Sequence, residues 1–118
     1  MPQAKKRGYR VERKIRMMFE THGWKTIRAG ASLGEADIVC IKTGTCMLLQ
    51  IKSTKKKKFY YYEHMKPKLE GFPFFIVVDF GYGKIRISKP KKTLEPNEGV
   101  NLQMFLRRPK AMMRRLKK

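Results

Sequence analysis

Hydrophobic residues near the start of the chain recur at the three- and four-residue spacing of a helix. The positions of this stripe are Val11, Ile15, Met18, Phe19 and His22. Most of the positions between them are charged, so one face is apolar and the other is polar. Gly23 supplies a helix-stop signal. The pattern predicts an amphipathic helix from Gly8 to about Gly23, preceded by a basic arm over residues 1–7.

After this helix the spacing changes to the alternation of polar and apolar residues that is typical of strands. The predicted strands are Trp24–Ala29, a run containing Asp37, Cys46–Ser53, Phe72–Phe80 and Lys84–Ser88. The turn Lys42–Thr45 is short enough to fold two of them into a hairpin. Phe72–Phe80 is almost continuously apolar, as expected for a strand buried on both faces. With a second helix within Tyr61–Glu70, the order of elements predicts a mixed sheet with helices packed on it.

After the last predicted strand the pattern loses its regularity. Pro90–Gly99 is rich in turn residues, Asn101–Leu106 is ambiguous, and Pro109–Lys118 is a basic segment that is either helical or disordered. The length of 118 residues suits one domain with a modest core. We therefore predict a single core domain over residues 8–89, followed by a basic extension over residues 90–118.

The charge of the chain indicates its class of partner. Lysine and arginine total 29 residues against 9 acidic residues, which gives a formal net charge of +20. This excess attracts polyanions, and nucleic acid is the expected partner, with an affinity that falls steeply as salt rises.

The cellular compartment is predicted from three features. No apolar run approaches the roughly 20 residues that a membrane-spanning helix needs, so no membrane partner is expected. The basic start Met1–Arg7 is not followed by the apolar stretch of a signal peptide. Cys40 and Cys46 lack CxxC spacing and a nearby histidine pair, so two buried free thiols in a reducing compartment are expected. We therefore predict a cytoplasmic protein.

Candidate chemistry lies in the predicted hairpin. Residues i and i+2 of a strand share a face, so Gln50 and Lys52 project together while their neighbours point into a core. Folding of the hairpin brings Asp37 beside them. Carboxylate and amide oxygens are hard ligands suited to Mg²⁺ or Mn²⁺. A lysine next to them can orient or deprotonate a water and offset charge on a phosphate, so the segment predicts a hydrolytic metal site for a phosphodiester.

A family resemblance strengthens this interpretation. Glu12 borders the apolar stripe of the first helix, within a Gly-x-x-x-Glu-Arg start. A strand ending in Arg28, a Gly/Ser loop, a strand with Asp37 and a strand with x-x-Lys-Ser follow. This order resembles the archaeal Holliday-junction resolvases of the restriction-endonuclease-like, or PD-(D/E)xK, nuclease superfamily, well over Gly8–Ser53 and more loosely to about Ser88. The resemblance implies an α/β restriction-endonuclease-like fold with a central mixed five-stranded sheet flanked by helices.

The resemblance also implies roles for individual residues. Glu12, Asp37 and Gln50 correspond to ligands of Mg²⁺ or Mn²⁺, Lys52 to the lysine of the motif, and Ser32 to a serine of a mobile loop that contacts the scissile strand. The residues expected to bind DNA are Arg10, Arg13, Arg28, Lys55, Lys56, Lys57 and Lys58.

Two positions depart from the family pattern. Ala36 replaces the proline that normally precedes the aspartate, a position that shapes the backbone without binding metal. Gln50 stands where the family has Glu or Asp. A glutamine carbonyl can bind a metal but adds no negative charge, so weaker metal binding is expected. Glu35 is a possible substitute carboxylate, because it shares a face with Asp37 if the strand extends that far.

The function implied by the resemblance is metal-dependent cleavage of four-way DNA junctions by a homodimer, in an archaeal or archaeal-virus context. The apolar strand Phe72–Phe80 and the tyrosine run Tyr60–Tyr62 are candidate sources of a dimer interface. Two alternatives stay open: a nicking or site-specific endonuclease of a mobile element, and a non-catalytic nucleic-acid-binding protein of ribosomal or architectural type. The charge of +20 fits the last of these equally well.

Overall fold

The computed structural model of the protein describes residues 3–29, 37–60 and 71–117. The predicted helix within Tyr61–Glu70 and the predicted loop Gly30–Gly34 lie outside these residues, as do Tyr61 and Tyr62. The three helices are α1 (Gln3–Thr21), α2 (Leu102–Arg107) and α3 (Pro109–Lys117). The strands are β1 (Lys25–Arg28), β2 (Ile38–Lys42), β3 (Thr45–Ser53), β4 (Phe59–Tyr60), β5 (Phe74–Asp79), β6 (Ile85–Ser88), β7 (Thr93–Leu94) and β8 (Val100–Asn101).

The first helix is longer than its apolar stripe predicts. It begins at Gln3, five residues before Gly8, so the prediction of a basic arm is wrong for residues 3–7. These five residues are Gln, Ala, Lys, Lys and Arg, all of which have high intrinsic helix propensity. Propensity therefore extends the helix beyond the part that buries apolar side chains.

A mixed sheet forms the centre of the fold. Its strand order is β1-β2-β3-β5-β6-β8, and β4 and β7 form a separate two-stranded sheet. Within the six-stranded sheet, β3 and β5 run parallel and the other neighbours run antiparallel. The predicted mixed sheet flanked by helices in one α/β domain is confirmed. The sheet has six strands instead of the predicted five because β8 joins it from the C-terminal region.

Apolar side chains fill both sides of this sheet. The larger cluster lies between the sheet and the helices, where Ile15 and Phe19 of α1 pack with Leu49 and Ile51 of β3. The smaller cluster, on the other side, comprises Ile76, Val78, Phe80 and Leu94, with Phe59 against it. Strand β5 contributes to both clusters, which confirms the prediction of a strand buried on both faces.

This burial corrects one expectation about the dimer. Phe75–Phe80 is buried within its own chain, so most of the segment Phe72–Phe80 is not available as an interface. Phe72 remains exposed, and Tyr60 is also exposed on β4. A central strand must be apolar on both faces to fill its own core, and this accounts for the apolar run without a partner.

The hairpin of β2 and β3 forms as predicted. Lys42 pairs with Thr45, which leaves a two-residue turn. Both turn residues have positive φ angles, 24° at Thr43 and 75° at Gly44. Two-residue turns of this left-handed kind match the right-handed twist of the flanking strands. The turn therefore fixes the register that places β2 against β3.

The two cysteines lie in this hairpin as free thiols. Cys40 is fully buried and Cys46 is half-buried, so the expectation of two buried thiols holds fully for Cys40 alone. Burial raises the pKa of the Cys40 thiol, with a smaller contribution from Cys46. The Cys40 thiol therefore stays protonated at neutral pH and behaves as a small apolar group.

The C-terminal region belongs to the domain. Asn101 caps α2 by accepting hydrogen bonds from the backbone N–H groups of Gln103 and Met104. Buried side chains of the two C-terminal helices join the larger cluster, namely Leu102, Phe105, Leu106, Met113 and Leu116. The predicted boundary after residue 89 therefore does not separate a core from an extension. Basic residues lie between these apolar positions and obscure their spacing in the sequence.

None of the helices in the described ranges is long and apolar enough to cross a membrane.

A glycine substitution tests how closely β8 approaches β6. Gly99 has a φ of 68°, and a Cβ atom there would lie 2.5 Å from the carbonyl oxygen of Ile87. We expect Gly99→Ala to destabilise the protein by roughly 2–4 kcal/mol, because a left-handed alanine is combined with a backbone clash. The measurement is the free energy of unfolding in urea.

Gly44→Ala is the matched control. Gly44 has a φ of 75°, and within the described residues nothing lies within 4 Å of an added Cβ. The Gly44→Ala variant should therefore be destabilised only by the left-handed conformation of the alanine, by about 1–2 kcal/mol. Equal destabilisation by the two variants would show that β8 does not pack against β6 as described.

Candidate active site

The directions of the strands bring the ends of four strands together at one edge of the sheet. Because β1 and β2 are antiparallel, β2 and β3 are antiparallel and β3 and β5 are parallel, the carboxyl ends of β1, β3 and β5 lie beside the amino end of β2. We refer to this edge as the site end of the sheet. Ligand sites of sheets with parallel strands commonly lie at such carboxyl ends.

Asp37 lies at the site end, immediately before β2. Its backbone N–H donates to the carbonyl oxygen of Leu49 at 2.7 Å. Its side-chain Oδ2 accepts a hydrogen bond from the backbone N–H of Ile51 at 2.6 Å. The carboxylate is therefore held against β3 at the residue between Gln50 and Lys52, so the structure brings together the three residues that the hairpin predicts.

Gln50 and Lys52 lie on the face of β3 that points away from α1. Their neighbours Leu49 and Ile51 belong to the cluster under the helices, and strand alternation places Gln50 and Lys52 on the opposite face. Gln50 is only 3 % exposed, whereas Lys52 is half-buried. A polar amide thus occupies a position in the sheet where a charged group would be costly without compensation.

Glu12 reaches the same end of the sheet from α1. Its Oε2 atom lies 3.1 Å from the Arg28 Nε atom, and the side chains are 14 % and 56 % exposed, respectively. Arg28 pairs across the strands with Ile38, and the next residue, Ala29, donates its N–H to the carbonyl oxygen of Asp37 at 2.9 Å. Arg28 therefore connects the helix glutamate to β2, the strand that follows Asp37.

Arg28 also contacts an aromatic ring. Its Cζ atom lies 5.4 Å from the centre of the Tyr9 ring, within the range of a cation–π contact. Arg28 is thus held by Glu12 and Tyr9 while half of its side chain faces solvent.

A third carboxylate at the site end is not among the candidates that the sequence suggests. Asp79, the last residue of β5, is 5 % exposed and forms an ion pair with Lys14 of α1. Its Oδ1 atom accepts a hydrogen bond from the N–H of Gly81 at 2.8 Å. A carboxylate inside an apolar strand needs a partner, and this is the signal that points to it. Asp79 and Lys14 tie the helix to the carboxyl end of β5.

A small cavity opens between α1 and the carboxyl ends of β3 and β5. Its volume is about 200 Å³. Its lining residues are Val11, Ser53, Thr54, Lys55, Asp79 and Gly81. The cavity places a basic side chain and a buried carboxylate near one another, next to the strand that carries Lys52.

The donor set is compatible with a hard metal ion that retains water. Within the described ranges, no three His, Cys, Asp or Glu side chains form a cluster that could hold a metal. Asp37 and Gln50 supply a carboxylate and an amide oxygen. Mg²⁺ is commonly bound through one or two carboxylates together with waters and substrate phosphates, so this set fits it better than an ion enclosed by protein ligands. Ser32, Glu35 and Ala36 lie outside the described residues.

Basic residues flank the site end. Arg10 and Arg13 are exposed on α1, and the loop after β3 exposes three lysines, Lys55, Lys56 and Lys57. Lys58 is half-buried, with its Nζ atom 5.7 Å from the centre of the Tyr60 ring. The predicted DNA-binding residues on the helix and on this loop therefore lie on elements that border the site end.

The mixed sheet, the helix packed on it and the polar residues at one end define an α/β protein of the restriction-endonuclease-like class. The sequence model of the archaeal Holliday junction resolvase (Hjc) family matches residues 3–112, and the chain belongs to this family. The match extends beyond residue 89, in agreement with the packing of the C-terminal helices.

A solved structure supports the fold independently. The Holliday junction resolvase Hjc from the archaeal hyperthermophile Archaeoglobus fulgidus aligns with a TM-score of 0.66 and 17 % identity, covering 85 % of this chain and 95 % of that chain. No curated protein matches the chain. At this identity the structural likeness establishes the fold, and the family match establishes the resemblance predicted from the sequence.

The ion pair between Glu12 and Arg28 is expected to add little stability. Because Arg28 is 56 % exposed, a double-mutant cycle of Glu12→Gln and Arg28→Gln should give a coupling free energy of about 0.2–1 kcal/mol. The measurement is urea unfolding of the four proteins. The pair Lys91 and Glu98, which lies 2.8 Å apart on the surface, provides a second cycle for comparison. A coupling above about 2 kcal/mol would show that Glu12 is held there mainly for stability.

Proposed function

We propose that this chain is an endonuclease that uses a divalent metal ion to hydrolyse phosphodiesters at four-way DNA junctions. The observation that carries the proposal is the position of the Asp37 carboxylate, fixed to the Ile51 amide at 2.6 Å and flanked by Gln50 and Lys52. Membership of the resolvase family supports the junction as substrate.

Asp37 and Gln50 would hold Mg²⁺ or Mn²⁺, with Glu12 as a third oxygen donor. The bound ion would supply Lewis-acid polarisation of the phosphate and a water of lowered pKa. Glu12 lies in an ion pair with Arg28, so its contribution requires this contact to loosen or to be shared. The negative charge of the site then rests on Asp37 and Glu12, because Gln50 contributes none.

Lys52 projects from the same face of β3 as Gln50. Its ammonium group would orient the attacking water or offset the charge that develops on the phosphate. Ser32, which the family resemblance assigns to contact with the scissile strand, is retained in this proposal as a DNA contact. Direct in-line attack on the phosphorus requires only that these groups position water and phosphate together.

The DNA surface proposed here comprises the basic residues around the site end. Arg10 and Arg13 on α1, Arg28 on β1 and the lysines of the loop after β3 would contact phosphates without reading sequence. The formal charge of +20 supports strong, salt-sensitive binding.

We further propose a homodimer, because two strands of a junction must be cut symmetrically and one chain carries one such site. The family is described as archaeal, which supports an archaeal or archaeal-virus host.

Gln50 favours a second candidate function, that of a junction-binding protein with weak or no cleavage. An uncharged ligand lowers the attraction for a divalent ion. A pure binder, however, gains little from a carboxylate on a phosphate-facing surface, and the carboxylate of Asp37 is held in a defined position by the Ile51 N–H. The endonuclease is therefore the preferred proposal.

Cleavage of defined DNA substrates tests the function. We expect Mg²⁺- or Mn²⁺-dependent cutting of a four-way junction, and slower cutting of nicked and linear duplexes at the same salt concentration. Asp37→Asn should lower the junction cleavage rate by at least about 10²-fold, because it removes a charged metal ligand. Junction binding should be unchanged or tighter, since a negative charge is removed from the DNA-facing surface.

Glu95→Gln is the matched control, because Glu95 is an exposed acidic residue in the turn before β8. It should leave both cleavage and binding at the wild-type level. Equal cleavage of all three substrates would contradict junction selectivity. Binding without cleavage in either metal would establish the non-catalytic alternative.

Restoring the family's acidic residue tests the role of Gln50. Without metal, Gln50→Glu should lower the melting temperature, because the position is 3 % exposed and would bury a charge. Mg²⁺ should raise the melting temperature of this variant more than that of the wild type. The Mg²⁺ concentration for half-maximal cleavage should fall roughly tenfold if the added charge contributes about 1.4 kcal/mol to metal binding.

Gln103→Glu makes the same change of charge on the exposed surface of α2. It should leave the stabilisation by Mg²⁺ and the Mg²⁺ concentration for half-maximal cleavage at their wild-type values. If Mg²⁺ does not stabilise Gln50→Glu more than the wild type, Gln50 is not a metal ligand.

A further inference from the structure

The turn between β5 and β6 presents an aromatic side chain at the site end. β5 finishes at this end of the sheet, and Gly81–Tyr82–Gly83 follows it. The Tyr82 side chain is fully exposed, with a relative exposure of 103 %, which exceeds that of Tyr9 or Tyr60. Its ring therefore takes no part in the packing of the domain.

The backbone of Tyr82 is also unusual. Its φ angle is 52°, a left-handed conformation that residues other than glycine, asparagine and aspartate seldom adopt. The glycines on either side have φ angles of 86° and 77°. A glycine at the central position would form this turn with less strain. Neither the turn nor the core accounts for a tyrosine here, and such an outlier next to a candidate active site indicates a function.

Hydrogen bonds hold the turn in place relative to α1. Phe80 donates its N–H to the carbonyl oxygen of Lys84 at 2.8 Å, and Lys84 donates to that of Gly81 at 3.0 Å. Gly81 donates to Asp79, which pairs with Lys14 of α1. Because α1 also carries Glu12, the backbone of the turn that presents Tyr82 is held in place relative to the candidate active site.

We propose that Tyr82 is a base-stacking residue that binds an unpaired or partly unstacked nucleobase at the branch point of the DNA. This inference rests on the proposed function. A flat ring offers its π-face to any base, so stacking of this kind does not depend on sequence. The branch point of a junction exposes bases that a continuous duplex keeps stacked. Lys84, which is exposed two residues further along the chain, is suited to a neighbouring phosphate.

A protein partner is a poorer match for this ring. A stable protein–protein interface buries about 800 Å² on each side and is built around a continuous patch. Tyr82 is followed instead by the exposed residues Gly83 and Lys84. One protruding ring beside a cation is the combination used to bind single-stranded or distorted nucleic acid.

The test uses the full-length protein without divalent metal, so that binding is measured separately from cleavage. Tyr82→Gly removes the ring and relieves the left-handed strain, and should therefore melt at or above the wild-type temperature. We expect it to bind a four-way junction about tenfold more weakly, with linear-duplex binding unchanged. Tyr82→Phe retains the ring and should bind like the wild type.

A fluorescent base analogue reports stacking directly. With 2-aminopurine placed at the branch point, the wild type and Tyr82→Phe should quench the fluorescence, and Tyr82→Gly should not. With the analogue in the middle of a duplex arm, the three proteins should give equal signals. Met104→Ala, which removes an exposed apolar side chain from α2, is the control and should behave like the wild type.

Three results would overturn the proposal. The first is an equal loss of junction and duplex binding by Tyr82→Gly, and the second is unchanged junction binding by this variant. The third is a molecular mass of Tyr82→Gly, measured by light scattering, that differs from that of the wild type. The last would assign Tyr82 to a contact between copies of the chain. If the wild type binds junction and duplex equally well, the proposed selectivity for junctions is rejected, independently of Tyr82. The stacking proposal is then decided by the quenching alone, and an unquenched branch-point base rejects it.

Discussion

The parallel pairing of β3 with β5 is the constraint on which the candidate active site depends. It turns the carboxyl end of β5 toward the same edge as that of β3, and the antiparallel hairpin brings the start of β2 to that edge as well. Asp37, Lys52 and Asp79 thereby come to one end of the sheet. Parallel strands cannot be joined by a tight turn, so this arrangement requires the long connection between Ser53 and Phe74. The pairing thus determines where the polar residues meet, while the surrounding clusters only stabilise it.

The part of the site that depends on local spacing could be predicted from the sequence. A two-residue turn fixes the register of β2 and β3, and alternation then places Gln50 and Lys52 on one face beside Asp37. The pairing of Lys14 with Asp79 spans 65 positions in the sequence and depends on the final packing of α1. No periodicity reveals a contact of this kind. The start of α1 cannot be located from hydrophobic spacing, because its first residues have helix propensity but no apolar stripe.

The C-terminal region shows a different limit of sequence reasoning. Leu102, Phe105 and Leu106 are buried, yet their run is short and is followed by the basic residues Arg107 and Arg108, which leaves its pattern ambiguous. Helices of six and nine residues bury only a few side chains each, so their periodicity is too short to be distinctive. Their position is determined by the cleft that the sheet and α1 leave open, which the sequence of the region itself does not describe.

Electrostatics links the stability of the fold to its proposed chemistry. The chain has 9 acidic residues and a net charge of +20, so each carboxylate lies in a strongly cationic field. At the site end Glu12 pairs with Arg28 and Asp79 pairs with Lys14. These pairs occupy carboxylates that would otherwise repel an approaching phosphate.

Gln50 also limits the uncompensated negative charge at the site end. At 3 % exposure, a glutamate would be a buried charge until a metal arrived, whereas a glutamine is neutral in both states. The glutamine therefore removes a cost of folding without metal, and in the proposed metal site it would give up part of the attraction for the ion. Phosphate groups of bound DNA can supply the missing negative charge, because Mg²⁺ is often shared between protein carboxylates and substrate phosphates. In the proposed metal site, metal binding and DNA binding would therefore reinforce each other, with phosphates of the junction supplying ligands in addition to those of the protein.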